Sequence, residues 1–100
     1  MNESTTVEIG SLIARTPGVC GGRPRIAGTG VSVRRVVVWY KLGLAPEEIA
    51  DRIGHLSLAQ VLAALAYYHA NREEIETGLA AEEAEADRLE REHAVARRPA

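Results

Sequence analysis

Between Pro46 and Tyr68 two runs of helically spaced apolar residues meet at a glycine, and no other stretch limits the fold so strongly. Pro46 suits the first position of a helix, where its missing N–H is not needed, and Glu47 and Glu48 complement the positive end of the helix dipole. Ile49, Ala50 and Ile53 then share one face before Gly54-His55-Leu56 breaks the run. Ser57, with Gln60 three residues on, forms an S-x-x-Q capping box. Leu58, Val61, Leu62, Leu65 and Tyr68 follow at helical spacing, leaving Ser57, Gln60, Ala63, Ala64 and Tyr67 to face outward. Two apolar-faced helices joined by a tight glycine turn make a helix-turn-helix unit.

Ahead of that unit, Val33, Val36, Val37 and Tyr40 recur at i, i+3, i+4 and i+7, which predicts a helix capped by Ser32 and closed by Gly43. Four valines in this stretch make a strand the rival reading. Leu12–Arg15 and Arg23–Ile26 read as two short strands, the second held to an edge or an irregular ribbon by Pro24. From Asn71 onward Ile75, Leu79, Leu89 and Val95 are sparse among Ala, Glu and Arg. That pattern predicts an extended helical arm, loosely held on its own domain and fraying beyond Ala84 unless something docks on it. The expected fold is mainly α, with a homeodomain-like or winged-helix-like helix-turn-helix core, short N-terminal β-strands and a long C-terminal helical arm. The expected organisation is a flexible leader over 1–10, a domain over 11–72 and a charged arm over 73–100.

Charge is unevenly divided. Residues 1–44 carry six cations against two carboxylates, and residues 45–100 carry six against twelve. A basic front and an acidic rear suit two kinds of partner, or are two ordinary solvated surfaces. Arg23, Arg25, Arg34 and Arg35 are placed to touch phosphates, and Gln60, with Ser57 and Tyr67, to reach base edges. Residues 57–70 contain no Lys or Arg, which leaves a purely structural role open for that helix. Enzyme chemistry finds little footing. Gly28-Thr29-Gly30 lacks the G-K-[ST] ending of a phosphate loop, Glu47-Glu48 and Glu82-Glu83 are mere sequence neighbours, and the three histidines match no ligand spacing. No catalytic residue, metal ligand or cofactor is expected. A lone Cys20, a start without an apolar signal segment and no apolar run near the roughly 20 residues of a membrane span predict a cytoplasmic protein.

The stretch Gly21-Gly22-Arg23-Pro24-Arg25-Ile26-Ala27-Gly28-Thr29, followed by Val31-Ser32-Val33, resembles the G-G-R-P-x-I-x-G-T-R-[IV]-x-V signature of the domain of unknown function 433 family. Leu42–Ile49 and Ser57–Val61 resemble that family's following segments, and the chain departs from the pattern at Gly30, where the family has Arg. The resemblance implies a helix-turn-helix core with a short strand element in front. It further implies an antitoxin of a type II pair, encoded beside a nuclease-like toxin of the PIN class. On that reading the chain is a homodimer paired through its N-terminal strands, with no small-molecule substrate. Operator DNA meets Arg23, Arg25, Arg34, Arg35, Ser57, Gln60 and Tyr67. The arm holds the toxin through Ile75, Leu79, Leu89, Arg97 and Arg98, the two arginines entering an acidic, metal-binding nuclease site. The alternative is a protein-interaction adaptor of the same fold that binds no DNA.

Overall fold

In the computed structural model, which describes residues 6–96, two two-residue strands precede four helices. Strands β1 (Ile13–Ala14) and β2 (Arg25–Ile26) are antiparallel, with Ile13 opposite Ile26 and Ala14 opposite Arg25. Short 3₁₀ turns at Ile9–Leu12 and Cys20–Gly22 flank β1. On its far side β2 is bridged to Ser32, and the Ile26 N–H donates to the Val31 carbonyl at 2.9 Å. Pro24 stands just before β2, where its carbonyl accepts from the Val33 N–H at 3.0 Å. Both sides of β2 are therefore used within the chain, whereas β1 has a strand partner on one side only among the described residues.

Each helix begins where its local chemistry dictates. Helix α1 (Val33–Lys41) starts at Ser32, whose Oγ accepts from the Arg35 N–H at 3.2 Å. Helix α2 (Pro46–Ile53) has its proline at the first position, and the Glu48 carboxylate accepts from the Ala45 N–H at 2.9 Å. Helix α3 (Leu58–Ala70) carries a complete capping box: the Gln60 N–H donates to Ser57 Oγ at 3.1 Å, and the Ser57 N–H donates to Gln60 Oε1 at 2.7 Å. Between α2 and α3 the chain reverses at Gly54 (φ 75°, ψ 141°), a conformation that a Cβ would strain. The strand alternative for the α1 segment is thus resolved in favour of helix.

Ile26, Val33, Val36, Val37, Ile49, Val61, Ala64, Leu65, Tyr68 and Ile75 form one buried cluster. Two expectations change here. Helix α3 is rotated from its expected phase: Ala63 and Ala64 are buried, whereas Leu58 and Leu62 are 42% and 47% exposed. A helix apolar on nearly every side has no amphipathic preference to set its phase, so its neighbours α1 and α2 set it.

The second change concerns α4 (Arg72–Ala96), which starts beyond a break in helical geometry at Asn71. Ile75 is fully buried, Gly78 is buried and Leu79 is half-buried, so the domain continues through the first two turns of α4 instead of ending at residue 72. Ile75, expected at a partner surface, is a core residue. From Ala80 to Val95 every side chain is exposed, yet the helix does not end at Ala84. Strong helix formers sustain it, with Arg88 bridging Glu85 and Glu92 one turn to either side. The radius of gyration, 17.0 Å, exceeds the about 13 Å of a compact 100-residue domain because this helix projects.

Packing at Ile75 gives a direct check. Ile75→Ala lowers the unfolding free energy by about 2–4 kcal/mol, whereas Leu89→Ala, on the projecting half, changes it by less than about 0.5 kcal/mol. Urea titrations followed by circular dichroism measure both; equal values would place α4 outside the core.

Candidate functional site

The basic front of the chain is folded against the acidic start of α4. Arg34, on α1, lies across Gly78, where the missing Cβ leaves room for the guanidinium. Its Nη1 donates to Glu82 Oε1 at 2.6 Å, and Arg23 Nη1 stands 3.4 Å from the same oxygen. Lys41 Nζ donates to Glu76 Oε1 at 2.5 Å, and the buried Tyr68 turns its hydroxyl onto the other oxygen of that carboxylate. Arg15 pairs with Glu74 and donates to the Tyr67 hydroxyl at 2.6 Å, which in turn donates to Glu74 at 2.8 Å. Four of the six front cations, Arg15, Arg23, Arg34 and Lys41, thus face three carboxylates of one helix. Each exposed pair contributes only about 0–1 kcal/mol, but together they fix the direction in which α4 leaves the core.

These contacts engage most of the residues expected to meet nucleic acid. Arg23, Arg34 and Tyr67 are turned to α4 or its carboxylates. Arg25 braces the loop before α1, donating to the Thr29 carbonyl and to Thr16 Oγ1, both at 3.0 Å. Ser57 and Gln60 cap each other. Arg35 is exposed, and among the described residues its side chain makes no ion pair. The outward face of α3 consists of Leu58, Ala59, Leu62, Ala66, His69 and Ala70. A phosphate approaching Arg34 Nη1 has to compete with the Glu82 carboxylate.

On the arm, Leu79 borders a groove of about 570 Å³ lined with Val38, Lys41, Leu42, Glu82 and Glu83. Leu89 is 51% exposed and lies at the edge of a shallow hollow with Arg23, Arg34 and Ala86. The side of α4 that begins at Ile75 and Leu79 continues through Glu82, Ala86, Leu89 and His93 at alternating spacings of three and four residues, flanked by Glu83, Glu85, Glu90 and Glu92. Arg97 and Arg98 lie outside the described residues. Sequence reasoning passed over Glu74, Glu76, Glu82 and Gly78, whose partners are distant in the chain. One local signal existed: Gly78 interrupts a run of good helix formers, as a glycine does where another group must approach closely.

The electrostatics follow from these contacts. The hydrogen bonds from Lys41 and then Tyr68 hold the Glu76 carboxyl below its ordinary value. For Glu74, partial burial pushes upward, but hydrogen bonds from Tyr67 and Arg15 outweigh it and the carboxyl is lowered. Burial, reinforced by Glu74, raises the Tyr67 hydroxyl.

Comparison with known proteins adds a family. The family model described as "Protein of unknown function (DUF433)" matches residues 13–68, from β1 to near the end of α3. The crystal structure of a DUF433 member protein from Anabaena variabilis ATCC 29413, determined at 2.00 Å resolution, is similar to this chain with a TM-score of 0.65 and 34% identity. That similarity covers 70% of this chain and 69% of the other. No curated protein matches.

Acid tests the anchoring of α4. Because both carboxyls lie below their ordinary value of 4.5, the stability they contribute is complete above about pH 4.5 and lost as falling pH protonates them in the folded state. Thermal unfolding shows Tm falling below that pH, and the Glu74→Gln/Glu76→Gln double variant falls less steeply. The same slope in both proteins would remove these carboxylates from the account.

Proposed function

The chain belongs to the DUF433 family, whose function is unknown, and we propose that it is the antitoxin-like subunit of a two-protein pair, holding a nuclease-like toxin of the PIN class through α4. It acts in the cytoplasm with no catalytic role of its own. The observation that supports this reading is the projection of α4: beyond Leu79 it extends into solvent with Ala86 and Leu89 on one face and carboxylates along both flanks. Helices in water draw most of their stability from packing one face against something, and the projecting half of α4 lacks such a surface in its own domain. A groove with an apolar floor and basic walls supplies it.

Operator DNA is a second reading, favoured by the α2–turn–α3 unit and by the exposed Arg35. It has less support than the first. The outward side chains of α3 are mainly Leu and Ala, which can meet a thymine methyl but give few hydrogen bonds to base edges. Contact with DNA on this reading is mostly with phosphates.

Co-expression with the product of the adjacent reading frame tests the first reading. The parent chain restores growth, and Leu89→Glu, at an exposed position, loses at least about tenfold in affinity for that product; undiminished binding by the variant would move the contact off the arm. For DNA, gel shifts against the chain's own upstream region at several salt concentrations show weak binding that falls by about 0.9 log units per phosphate contacted for each log unit of salt. Arg35→Ala reduces that slope by about one contact, and Glu82→Gln, which releases Arg23 and Arg34, strengthens binding. Failure to bind even at low salt would end the DNA reading.

A further inference from the structure

We infer that two copies of this chain pair through the solvent face of α3, helix against antiparallel helix, about a two-fold axis at Ala66. Helix α3 contains no Asp, Glu, Lys or Arg, and it is apolar on the side that faces water as well as on the sides that face the core. A helix of that composition is one whose sides are all covered. The uncovered side is built from Leu58, Ala59, Leu62, Ala66, His69 and Ala70, with Leu58 and Leu62 large and nearly half exposed.

The shape of that side selects its occupant. Toward the N-terminus from Ala66, Leu62 stands proud of the helix. Toward the C-terminus, Ala66, Ala70 and Tyr67 join Ile9 and Ile13 around an apolar hollow of about 440 Å³. Leu62 and Ala70 are each one turn, about 6 Å along the axis, from Ala66. An antiparallel crossing centred there sets the leucine of each copy over the hollow of the other, which is the self-complementarity that a two-fold contact requires. Alanines at 59, 66 and 70 permit the close helix approach on which such a fit depends.

Charge argues for a second copy over a different protein. The exposed side of α3 itself carries no Asp, Glu, Lys or Arg, and the one cation lining the hollow, Arg15, is already paired with Glu74, so the contact offers little charge by which an unlike partner would be selected. The projecting half of α4 is the opposite case, since Glu83, Glu85, Glu90 and Glu92 along its flanks repel a like helix. The pairing also differs from the strand-mediated dimer expected from sequence, because it uses α3 and not the N-terminal strands. It leaves α4 free, and it covers the α3 face that the DNA reading would place in a groove.

Sedimentation equilibrium of the full chain, from micromolar to submillimolar concentration, tests the pairing without toxin or DNA. The parent is a dimer. Leu62→Glu, at an exposed position, keeps its helical circular dichroism and weakens association by about 30-fold or more. In a Cys20→Ser background, Ala66→Cys forms a disulfide-linked dimer on mild oxidation, since the axis brings the two positions within the about 6 Å between Cα atoms that a disulfide spans. Asp51→Cys, on α2, does not. Leu89→Glu leaves the dimer intact, so failure of this inference is distinct from failure of the arm reading. A monomer throughout the range, or a dimer that Leu62→Glu leaves unchanged, overturns the interface, and a dimer that does not link through position 66 overturns the axis.

Discussion

The fold is organised around a helix that carries no charge. Helix α3 is touched by α1, α2, α4, both strands and the N-terminal 3₁₀ turn, so every other helix and strand contributes to covering it. Water is a poor neighbour for such a surface, and about 25 cal/mol for each Å² of apolar area removed from it drives the other elements into place. The glycine turn at Gly54 and the reciprocal caps at Ser57 and Gln60 fix where α3 begins; its neighbours fix which way it faces. Among the described residues, coverage is incomplete on the side that bears Leu58, Leu62 and Ala66.

The basic front gains its meaning from α4. Read along the chain, Arg15, Arg23, Arg34 and Lys41 form a cationic segment of the kind that binds phosphate. Folded, they meet Glu74, Glu76 and Glu82, and the absence of a side chain at Gly78 lets Arg34 lie flat against the helix. Charge that would have drawn a polyanion is largely neutralised within the domain. A polyanion approaching Arg34 competes with the protein's own Glu82 carboxylate.

One helix thus has two roles divided near Leu79. Its first two turns are held by Ile75 in the core and by the ion pairs around it, while its remainder stands in solvent with helix-forming residues and Arg88 pairs to keep it ordered. The segment matched by the DUF433 family model ends at residue 68, so α4 lies beyond it in the chain. The anchored base gives the projecting half a defined direction.

Much of this architecture was legible in the residues themselves. Ser32, Pro46, Gly54, Ser57 and Gln60 act through bonds to groups within a few residues, so the starts of α1, α2 and α3 and the turn between the last two could be read directly. So could the presence of two short strands around Pro24 and of a C-terminal helix. The rotation of α3 could not, because a sequence apolar on all sides contains no information about which side meets the core. Nor could the docking of α4, where a single isoleucine decides and a glycine matters for the arginine above it. The destination of the cations was equally hidden: Coulomb attraction depends on distance in space, and partners separated by 35 to 59 residues meet only after the apolar core has brought their helices together.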